Sequence, residues 1–203
     1  MTYFGAEDPH LGERIGILGG SFNPAHDGHI EVSLLALDKL ALDKVWWMVS
    51  PQNPLKSPEG METFQKRILL AERTAKGYPI CVSTVEFEMG TQFTVDSLME
   101  LVARFPKTKF IWLMGADNLA QIHRWRDWSR IFHTLPIAVF ARPTYAIQAE
   151  RGKAARRFAR YRVPAYRSKS LAEKKPPAWV VFKGPHNTQS ATRIRHLKKA
   201  GKG

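Results

Sequence analysis

The chain has 203 residues, 44% of them hydrophobic, and a net charge of +13, which suits one globular domain with its own core. It contains no run of eighteen apolar residues and no apolar N-terminal signal segment, so we expect neither a membrane span nor secretion. The chain has one cysteine, Cys81, so an intrachain disulfide is impossible, which suits a reducing, cytoplasmic location. We expect Cys81 to be a core residue.

The first predicted strand runs into a loop that is suited to binding an anion. An apolar run at residues 15–18 leads into Gly19 and Gly20, and His26 and His29 open an amphipathic helical pattern. Glycines let the backbone approach a phosphate closely. The free N–H groups at a helix start favour an anion, and two histidines three residues apart share one helix face. The loop therefore predicts a phosphate-binding site.

Apolar and amphipathic segments then alternate along the chain. The predicted strands are residues 15–18, 44–50, 78–85, 109–114, 136–141 and 179–182. The predicted helices are residues 27–40, 63–76, a helix opening at residue 94, and 118–132, with a connector at 86–92. This order predicts an α/β fold with a Rossmann-like, doubly wound, mainly parallel sheet and helices on both faces.

Loops that leave the carboxyl ends of such strands commonly bind ligands. Lys56 lies in a proline-rich loop after the second strand, where it is either a phosphate ligand or an exposed loop lysine. Gly115 and Asp117 follow the fourth strand directly. Asp117 is therefore either a ligand for ribose hydroxyls or the cap of a short helix.

Two further segments offer side chains to a ligand. Thr94 is either the N-cap of its helix or a donor to a ligand. Trp125 and Trp128 stand three residues apart, so we expect one to be core and the other to offer its ring face to a flat ligand.

The positive charge is concentrated near the C-terminus. A basic arm at about 145–177 includes residues 150–175, which hold ten Lys and Arg against two Glu, and residues 193–202 add five more positive charges. Such charge can bind nucleic acid, attract anionic small substrates, or be solvated. Within the arm we expect Phe158, Tyr161 and Tyr166 to pack onto the sheet.

A short helical element at about 190–200 opens with hydroxyl and guanidinium side chains. Ser190, Thr192 and Arg195 gather at this helix start. They predict a second anion site.

The loop at residues 19–29 resembles the G-x-F-x-P-x-H-x-G-H signature of the nucleotidyltransferase superfamily, which includes cytidylyltransferases, FAD synthetases and several adenylyltransferases. Four later motifs narrow the resemblance to the nicotinate mononucleotide adenylyltransferases, over about residues 14–197. Their S-x-T-x-I-R, G-x-D, Y-T-x-x-T-L and R-R-P motifs are similar to Ser190–Arg195, Gly115–Asp117, Phe93–Leu98 and Arg142-Pro143. Ser21, Asn23, Phe93 and Ala141 depart from the residues most frequent in that family.

The resemblance implies that ATP and nicotinate mononucleotide react to give deamido-NAD and pyrophosphate. It implies that Mg²⁺ binds together with the triphosphate. The ion would keep most of its water ligands. The implied partners are ATP and the mononucleotide. From length and composition we expect a single domain, residues 1–203, with no membrane partner, and we expect no nucleic acid and a monomer or a homodimer.

The resemblance also assigns roles to residues. His29 would bind the α-phosphate, His26 the triphosphate, and Trp125 would stack on the pyridine ring in a pocket lined by Thr94. The nicotinate carboxylate would meet backbone N–H groups around residues 94–95 and 126, with the Arg126 side chain at the surface. Implied ATP ligands are Gly19, Gly20, Ser21, Phe22, Gly115, Asp117, Ser190, Thr192 and Arg195, and implied substrate ligands include Lys56 and Arg142.

Two alternatives stay open. One is an adenylyltransferase that uses phosphopantetheine. The other is a nucleic-acid-binding protein that uses the basic arm, which would leave His26, His29 and the 190–195 motif without a role.

Overall fold

The computed structural model describes residues 9–51, 60–141 and 151–183. In these ranges six strands form one sheet in the order β3-β2-β1-β4-β5-β6, and every neighbouring pair is parallel. The strands are β1(Arg14–Gly20), β2(Lys44–Val49), β3(Ile80–Ser83), β4(Lys109–Gly115), β5(Ile137–Ala141) and β6(Trp179–Lys183). The strand order reverses between β1 and β4, which makes the carboxyl ends of these strands the expected ligand-binding edge.

Helices connect the strands. The α-helices are α1(Asp27–Leu40), α2(Phe64–Ala75), α3(Val85–Glu88), α4(Thr94–Arg104), α5(Ala116–Gln121), α6(Trp128–Thr134) and α7(Lys153–Arg157). Three 3-10 helices span Ile122–Arg124, Ala159–Tyr161 and Ala165–Glu173. No helix in the described part of the chain is long and apolar enough to cross a bilayer.

Each face of the sheet carries its own hydrophobic core. Successive strand side chains point to opposite faces. In β2, Trp46 and Met48 therefore enter one core, whereas Val45, Trp47 and Val49 enter the other. Helices α4 to α7 supply buried residues to the first core, and α1, α2 and the 3-10 helix Ala165–Glu173 supply the second. The predicted doubly wound fold is confirmed.

Most predicted elements differ from the structure by a residue or two at an end, and two differ more. The strand predicted at 78–85 is only Ile80–Ser83, because its pairing with β2 stops at Ser83 and Val85 already begins α3. The segment predicted as one helix at 118–132 is divided into α5, a 3-10 helix and α6. The break lies at Asp127, which adopts a left-handed backbone with φ 45°.

The basic arm packs onto the sheet through part of its aromatic set. Phe158 stacks on Phe132 with ring centroids 4.1 Å apart, and the Trp179 Nε1–H donates to the Phe158 carbonyl at 2.8 Å. Tyr161 packs partly buried against the same core. The prediction is wrong for Tyr166, whose side chain is 81% exposed.

Candidate active site

Aromatic packing shapes the loop between β1 and α1. Phe22 is buried although its backbone is left-handed, with φ 45°, a conformation that a bulky residue seldom adopts. Its ring lies 5.0 Å from Trp47 and 4.8 Å from His29. A Cβ at Gly19 would overlap the Trp112 indole, so packing alone requires glycine there.

His26 and His29 form a reciprocal cap on α1. The Gly28 N–H donates to His26 Nδ1 at 3.1 Å, and the His26 N–H donates to His29 Nδ1 at 3.2 Å. The two ring centroids are 3.9 Å apart. An Nδ1 that accepts a hydrogen bond leaves the ring proton of a neutral imidazole on Nε2. The cap therefore makes both Nε2 atoms donors, at a helix start that already favours anions.

Arg67 holds the loops at the ends of β1 and β2 together. Its buried guanidinium donates to the carbonyls of Ser21 at 2.6 Å, Ser50 at 2.8 Å, Pro51 at 2.7 Å and Glu62 at 3.2 Å. Burial lowers the pKa of this group, but an arginine stays charged in proteins. Sequence reasoning missed Arg67, because one arginine inside an amphipathic helix resembles any surface arginine.

Asn23 ties the same loop to the segment before α2. Its Nδ2 donates to the Gly60 carbonyl at 3.2 Å, and its Oδ1 accepts from the Glu62 N–H at 3.3 Å. Only an amide can make both bonds, because an ionised aspartate has no donor. This residue departs from the family pattern but suits its surroundings here.

A cavity of about 470 Å³ opens at the carboxyl edge of the sheet. It brings together the end of β1 and the segments that flank α4 and α6. The lining residues that matter here are Gly19, Gly20, Ser21, Glu86, Thr94 and Trp125. The predicted phosphate loop and the predicted ring-stacking residues therefore face one space.

The structure decides against the capping role of Thr94 and gives the two tryptophans different surroundings. Phe93 is the N-cap of α4 and Thr94 is the first helical residue, so the capping interpretation of Thr94 is wrong. Trp125 is half-buried and lines the cavity. Trp128 instead makes edge-to-face contacts with Phe132 and Phe158, at centroid distances of 6.3 and 6.0 Å.

Other predicted site residues do not line this cavity. Phe22, His26 and His29 are not among its lining residues; His26 is the N-cap of α1, and the Phe22 ring lies against His29 in its first turn. Gly115 is the N-cap of α5, and Asp117 is an exposed residue in the first turn of that helix. The Asp117 carboxylate lies against Gly115, where a Cβ would overlap it. Asp117 is thus not the cap of that helix.

Five predicted site residues lie outside the described residues. They are Lys56, Arg142, Ser190, Thr192 and Arg195.

Two arginines that flank Trp125 also line the cavity. Arg126 is 54% exposed, as predicted for a surface side chain, yet its guanidinium lies 4.6 Å from the Phe93 ring centroid and 3.7 Å from an Asp96 carboxylate oxygen. Arg124 is exposed beside it. Arg124 adds positive charge at this end of the cavity, whereas the charge of Arg126 is offset by Asp96 and by an Asp127 carboxylate oxygen 3.9 Å away.

Glu86 is a cavity residue that the sequence did not reveal. Its side chain is 6% exposed, and Oε1 accepts from Ser97 Oγ at 3.1 Å. Burial raises the pKa of this carboxyl, while the hydroxyls of Ser97 and Ser50 oppose the shift. The segment was predicted as a connector, and no periodic pattern or motif marks one glutamate within it.

The comparisons with known proteins agree with this architecture. The family model described as cytidylyltransferase-like matches residues 17–197, from β1 through the cavity-lining segments. The class of protein is therefore a nucleotidyltransferase of this type.

Curated relatives make the family specific. A "Probable nicotinate-nucleotide adenylyltransferase" of Caulobacter sp. (strain K31) is 47% identical over 93% of this chain and 100% of its own. A protein of the same description from Parvibaculum lavamentivorans is 47% identical over 91% of this chain and 92% of its own. The chain belongs to the nicotinate-nucleotide adenylyltransferase family, which confirms the resemblance read from its motifs.

Solved structures support the fold. The nicotinic acid mononucleotide adenylyltransferase of Plasmodium falciparum, complexed with NaAD, matches with a TM-score of 0.67 at 17% identity, over 92% of this chain and 89% of that one. Its complex with APC matches with a TM-score of 0.66 at 16% identity, over 91% of this chain and 83% of that one.

Proposed function

We propose that this protein joins ATP and nicotinate mononucleotide to form deamido-NAD and pyrophosphate, a step of NAD biosynthesis. One observation carries the proposal: a single cavity connects the Gly19–Ser21 loop, beside the two histidines, with Thr94 and Trp125. A mononucleotide needs this combination, because it carries a phosphate at one end and a flat ring at the other.

The reaction is an in-line displacement at phosphorus. An oxygen of the mononucleotide phosphate attacks the α-phosphorus of ATP, the bond from that phosphorus to the β-bridging oxygen breaks, and pyrophosphate leaves with the bonding electrons. The attacking phosphate is already ionised at neutral pH, so no strong general base is needed. The protein accelerates the step by positioning the reactants and stabilising charge.

The histidine pair supplies donors for that charge. We assign His29 Nε2–H to the α-phosphate and His26 Nε2–H to the triphosphate, because the reciprocal cap directs both protons to Nε2. Gly20 and Ser21 bring backbone N–H groups to the same edge. Phe22 orients the loop through its contact with His29.

The pyridine ring is assigned to Trp125 and the wall at Thr94. A half-buried indole offers a face for stacking, and the eleven-residue helix α4 begins at Thr94 with no side-chain cap on its first N–H groups. We assign the nicotinate carboxylate to these N–H groups and to those near Arg126. The positive charge of Arg124 favours an acid over an amide at this end of the cavity.

The ATP ribose is assigned to Gly115 and Asp117, at the carboxyl end of β4. From the family resemblance we assign the β- and γ-phosphates to Ser190, Thr192 and Arg195. Lys56 and Arg142 would assist in binding substrate.

The metal is assigned to ATP rather than to a protein cage. The described ranges contain no group of three or more His, Cys, Asp or Glu side chains arranged to hold an ion. From the family resemblance we expect Mg²⁺ to arrive with the triphosphate and to keep most of its waters. When bound, Mg²⁺ would neutralise charge on the leaving pyrophosphate.

The proposal also covers the domain organisation, assembly and location of the protein. We expect a single domain that acts as a monomer or a homodimer in the cytoplasm. A sheet that joins all six described strands supports the single domain.

The test is pyrophosphate release from ATP and Mg²⁺ with each of three acceptors: nicotinate mononucleotide, nicotinamide mononucleotide and phosphopantetheine. We expect rapid release with the nicotinate form and slow release with the other two. Release with phosphopantetheine alone would overturn the assignments of Trp125 and Thr94. Folded protein that releases no pyrophosphate with any acceptor would contradict the proposal and favour the nucleic-acid-binding alternative.

A further inference from the structure

The carboxylate of Glu86 occupies an unusual position for an acidic side chain. It is 6% exposed and lines the cavity, and within the described residues it forms no ion pair with a lysine, arginine or histidine. Its Oε1 accepts a hydrogen bond from Ser97 Oγ at 3.1 Å, and Ser50 lines the same cavity. Burying an unpaired charge is costly, and a neutral glutamine would fill the same space.

The neighbours of Glu86 place it between the two ends of the cavity. On one side, Ser50 lines the cavity with Glu86 and donates its backbone N–H to the Gly20 carbonyl at 2.9 Å. On the other side, Ser97 Oγ lies 3.2 Å from the Phe93 carbonyl, one residue before Thr94. The carboxylate therefore lies between the phosphate loop and the wall assigned to the pyridine ring.

A ribose lies at the corresponding place in the substrate. In a pyridine mononucleotide the sugar joins the phosphate to the ring, and it carries two neighbouring hydroxyl groups. An ionised carboxylate is an acceptor with about four lone-pair sites, and Ser97 occupies one of them. Ribose hydroxyls are donors of the kind that the remaining sites require.

We propose that Glu86 accepts hydrogen bonds from the ribose hydroxyls of the mononucleotide and so selects a ribonucleotide over its deoxy forms. The inference rests on the proposed function. It assigns to Glu86 a substrate-positioning role that is separate from the chemistry at the α-phosphate.

The experiment is a cycle that combines one protein variant with substrate analogues. We would measure kcat/KM for nicotinate mononucleotide and for its 2′-deoxy and 3′-deoxy forms, at saturating ATP, with the natural protein and with Glu86→Gln. A hydrogen bond to a charged group predicts a loss of about 10-fold or more for at least one deoxy form with the natural protein. In Glu86→Gln, kcat/KM for the parent substrate should fall by a similar factor. Removing the ribose hydroxyl should then lower kcat/KM of this variant by less than about 3-fold.

Two matched variants separate binding from structure. Glu88→Gln changes the next glutamate of α3, which is exposed and bonds Thr84, so it should keep the natural kinetics. Ser97→Ala removes a partner of Glu86 but keeps the carboxylate, so it should keep discrimination against the deoxy forms. The KM for ATP should change little in Glu86→Gln, which a general loss of structure would not allow.

Several results would overturn the inference. The inference is wrong if the natural protein uses both deoxy forms as efficiently as the parent substrate. It is also wrong if Glu86→Gln lowers kcat/KM by the same factor for the parent and for both deoxy forms. If the natural protein shows no turnover with nicotinate mononucleotide, the proposed function fails and this inference fails with it. If the natural protein turns over nicotinate mononucleotide but the effects of the variant and of the missing hydroxyl are additive, the proposed function stands and only the role of Glu86 is wrong.

Discussion

The two ring nitrogens of His29 have separable roles. Nδ1 accepts from the His26 N–H and caps α1, whereas Nε2 is assigned to the α-phosphate. The amide of an asparagine can replace Nδ1 but does not reach the position of Nε2. His29→Asn should therefore fold with a nearly natural melting temperature while turnover falls by about 10²–10³-fold.

A matched variant tests that separation. His29→Gln places an amide near the Nε2 position, so it should retain more turnover than His29→Asn. Near-natural turnover of His29→Asn, measured by pyrophosphate release, would show that Nε2 does not act on the phosphate.

The stacking role of Trp125 is tested through the two Michaelis constants. Removing the indole should raise the KM for the mononucleotide by about 10-fold or more, because stacking on an aromatic ring is worth about 1–3 kcal/mol per base. The KM for ATP should change less. Trp128→Phe is the control, since Trp128 packs against Phe132 and Phe158 instead. A larger change in the KM for ATP than for the mononucleotide would refute the assignment.

Glu86 should lower stability in a pH-dependent way. Burial raises the pKa of this carboxyl in the folded state. Its protonated form is therefore favoured by folding, and that stabilisation is lost as the pH rises through the folded-state pKa. At about pH 8 Glu86→Gln should melt about 2–4 °C higher than the natural protein, the shift that about 1 kcal/mol produces in a chain of this size.

At about pH 4, where an unfolded glutamate is itself largely protonated, this difference should disappear. Thermal melting across the pH range measures it. A Glu86→Gln variant that is less stable than the natural protein at about pH 8 would mean that the charged form contributes favourably to folding.

At the scale of elements, Arg67 joins α2 to the loops that leave β1 and β2. Arg67→Met would leave four carbonyls, one of them in a buried bond and three in partly buried bonds, without their donor, and we expect a loss of about 3 kcal/mol or more in the free energy of unfolding. The melting temperature should fall by about 6–12 °C. Turnover should also fall at temperatures where the protein is folded, because Ser21 and Ser50 lose their anchor.

Arg73→Met is the matched control for Arg67→Met. Arg73 lies in the last turn of the same helix and is exposed. Equal melting temperatures for the two variants would contradict the role of Arg67.

The sequence predicted the order of the helices and strands more accurately than it predicted their first and last residues. Helix α1 was predicted at 27–40 and confirmed there, because an apolar stripe, an anion-favouring start and a following strand all agree. The strand predicted at 78–85 was too long, since its true length depends on its pairing with β2. The break at Asp127 depends on a backbone conformation that no periodic pattern signals.

At the scale of the whole molecule, a net charge of +13 should affect substrate capture. ATP and the mononucleotide are both anionic, and screening shortens the range of attraction from about 10 Å at 0.1 M salt to about 3 Å at 1 M. Both Michaelis constants should therefore rise several-fold over that range while kcat changes little.

The double variant Lys153→Gln, Arg156→Gln removes two exposed charges of α7 and tests the source of this attraction. A weaker salt dependence in the variant would assign part of the attraction to the arm. Michaelis constants that do not respond to salt in the natural protein would mean that the charge is only solvated.

The sequence by itself determined the fold class, the family and the loop at residues 19–29, because these depend on local features: apolar runs, helix starts and motif spacing. It also named Thr94 and Trp125 together. Only the tertiary structure showed that they share a cavity with Gly19 and Gly20.

The buried polar residues were decided by the tertiary structure alone. Arg67 and Glu86 have the same side chains as many surface residues, and the sequence around them indicates amphipathic helix and connector. Their roles depend on partners that are far from them in the chain, such as Ser21, 46 positions from Arg67, and Ser97, 11 positions from Glu86. Burial and long-range hydrogen bonding arise only when the sheet brings those segments to one edge, so no local pattern can record them.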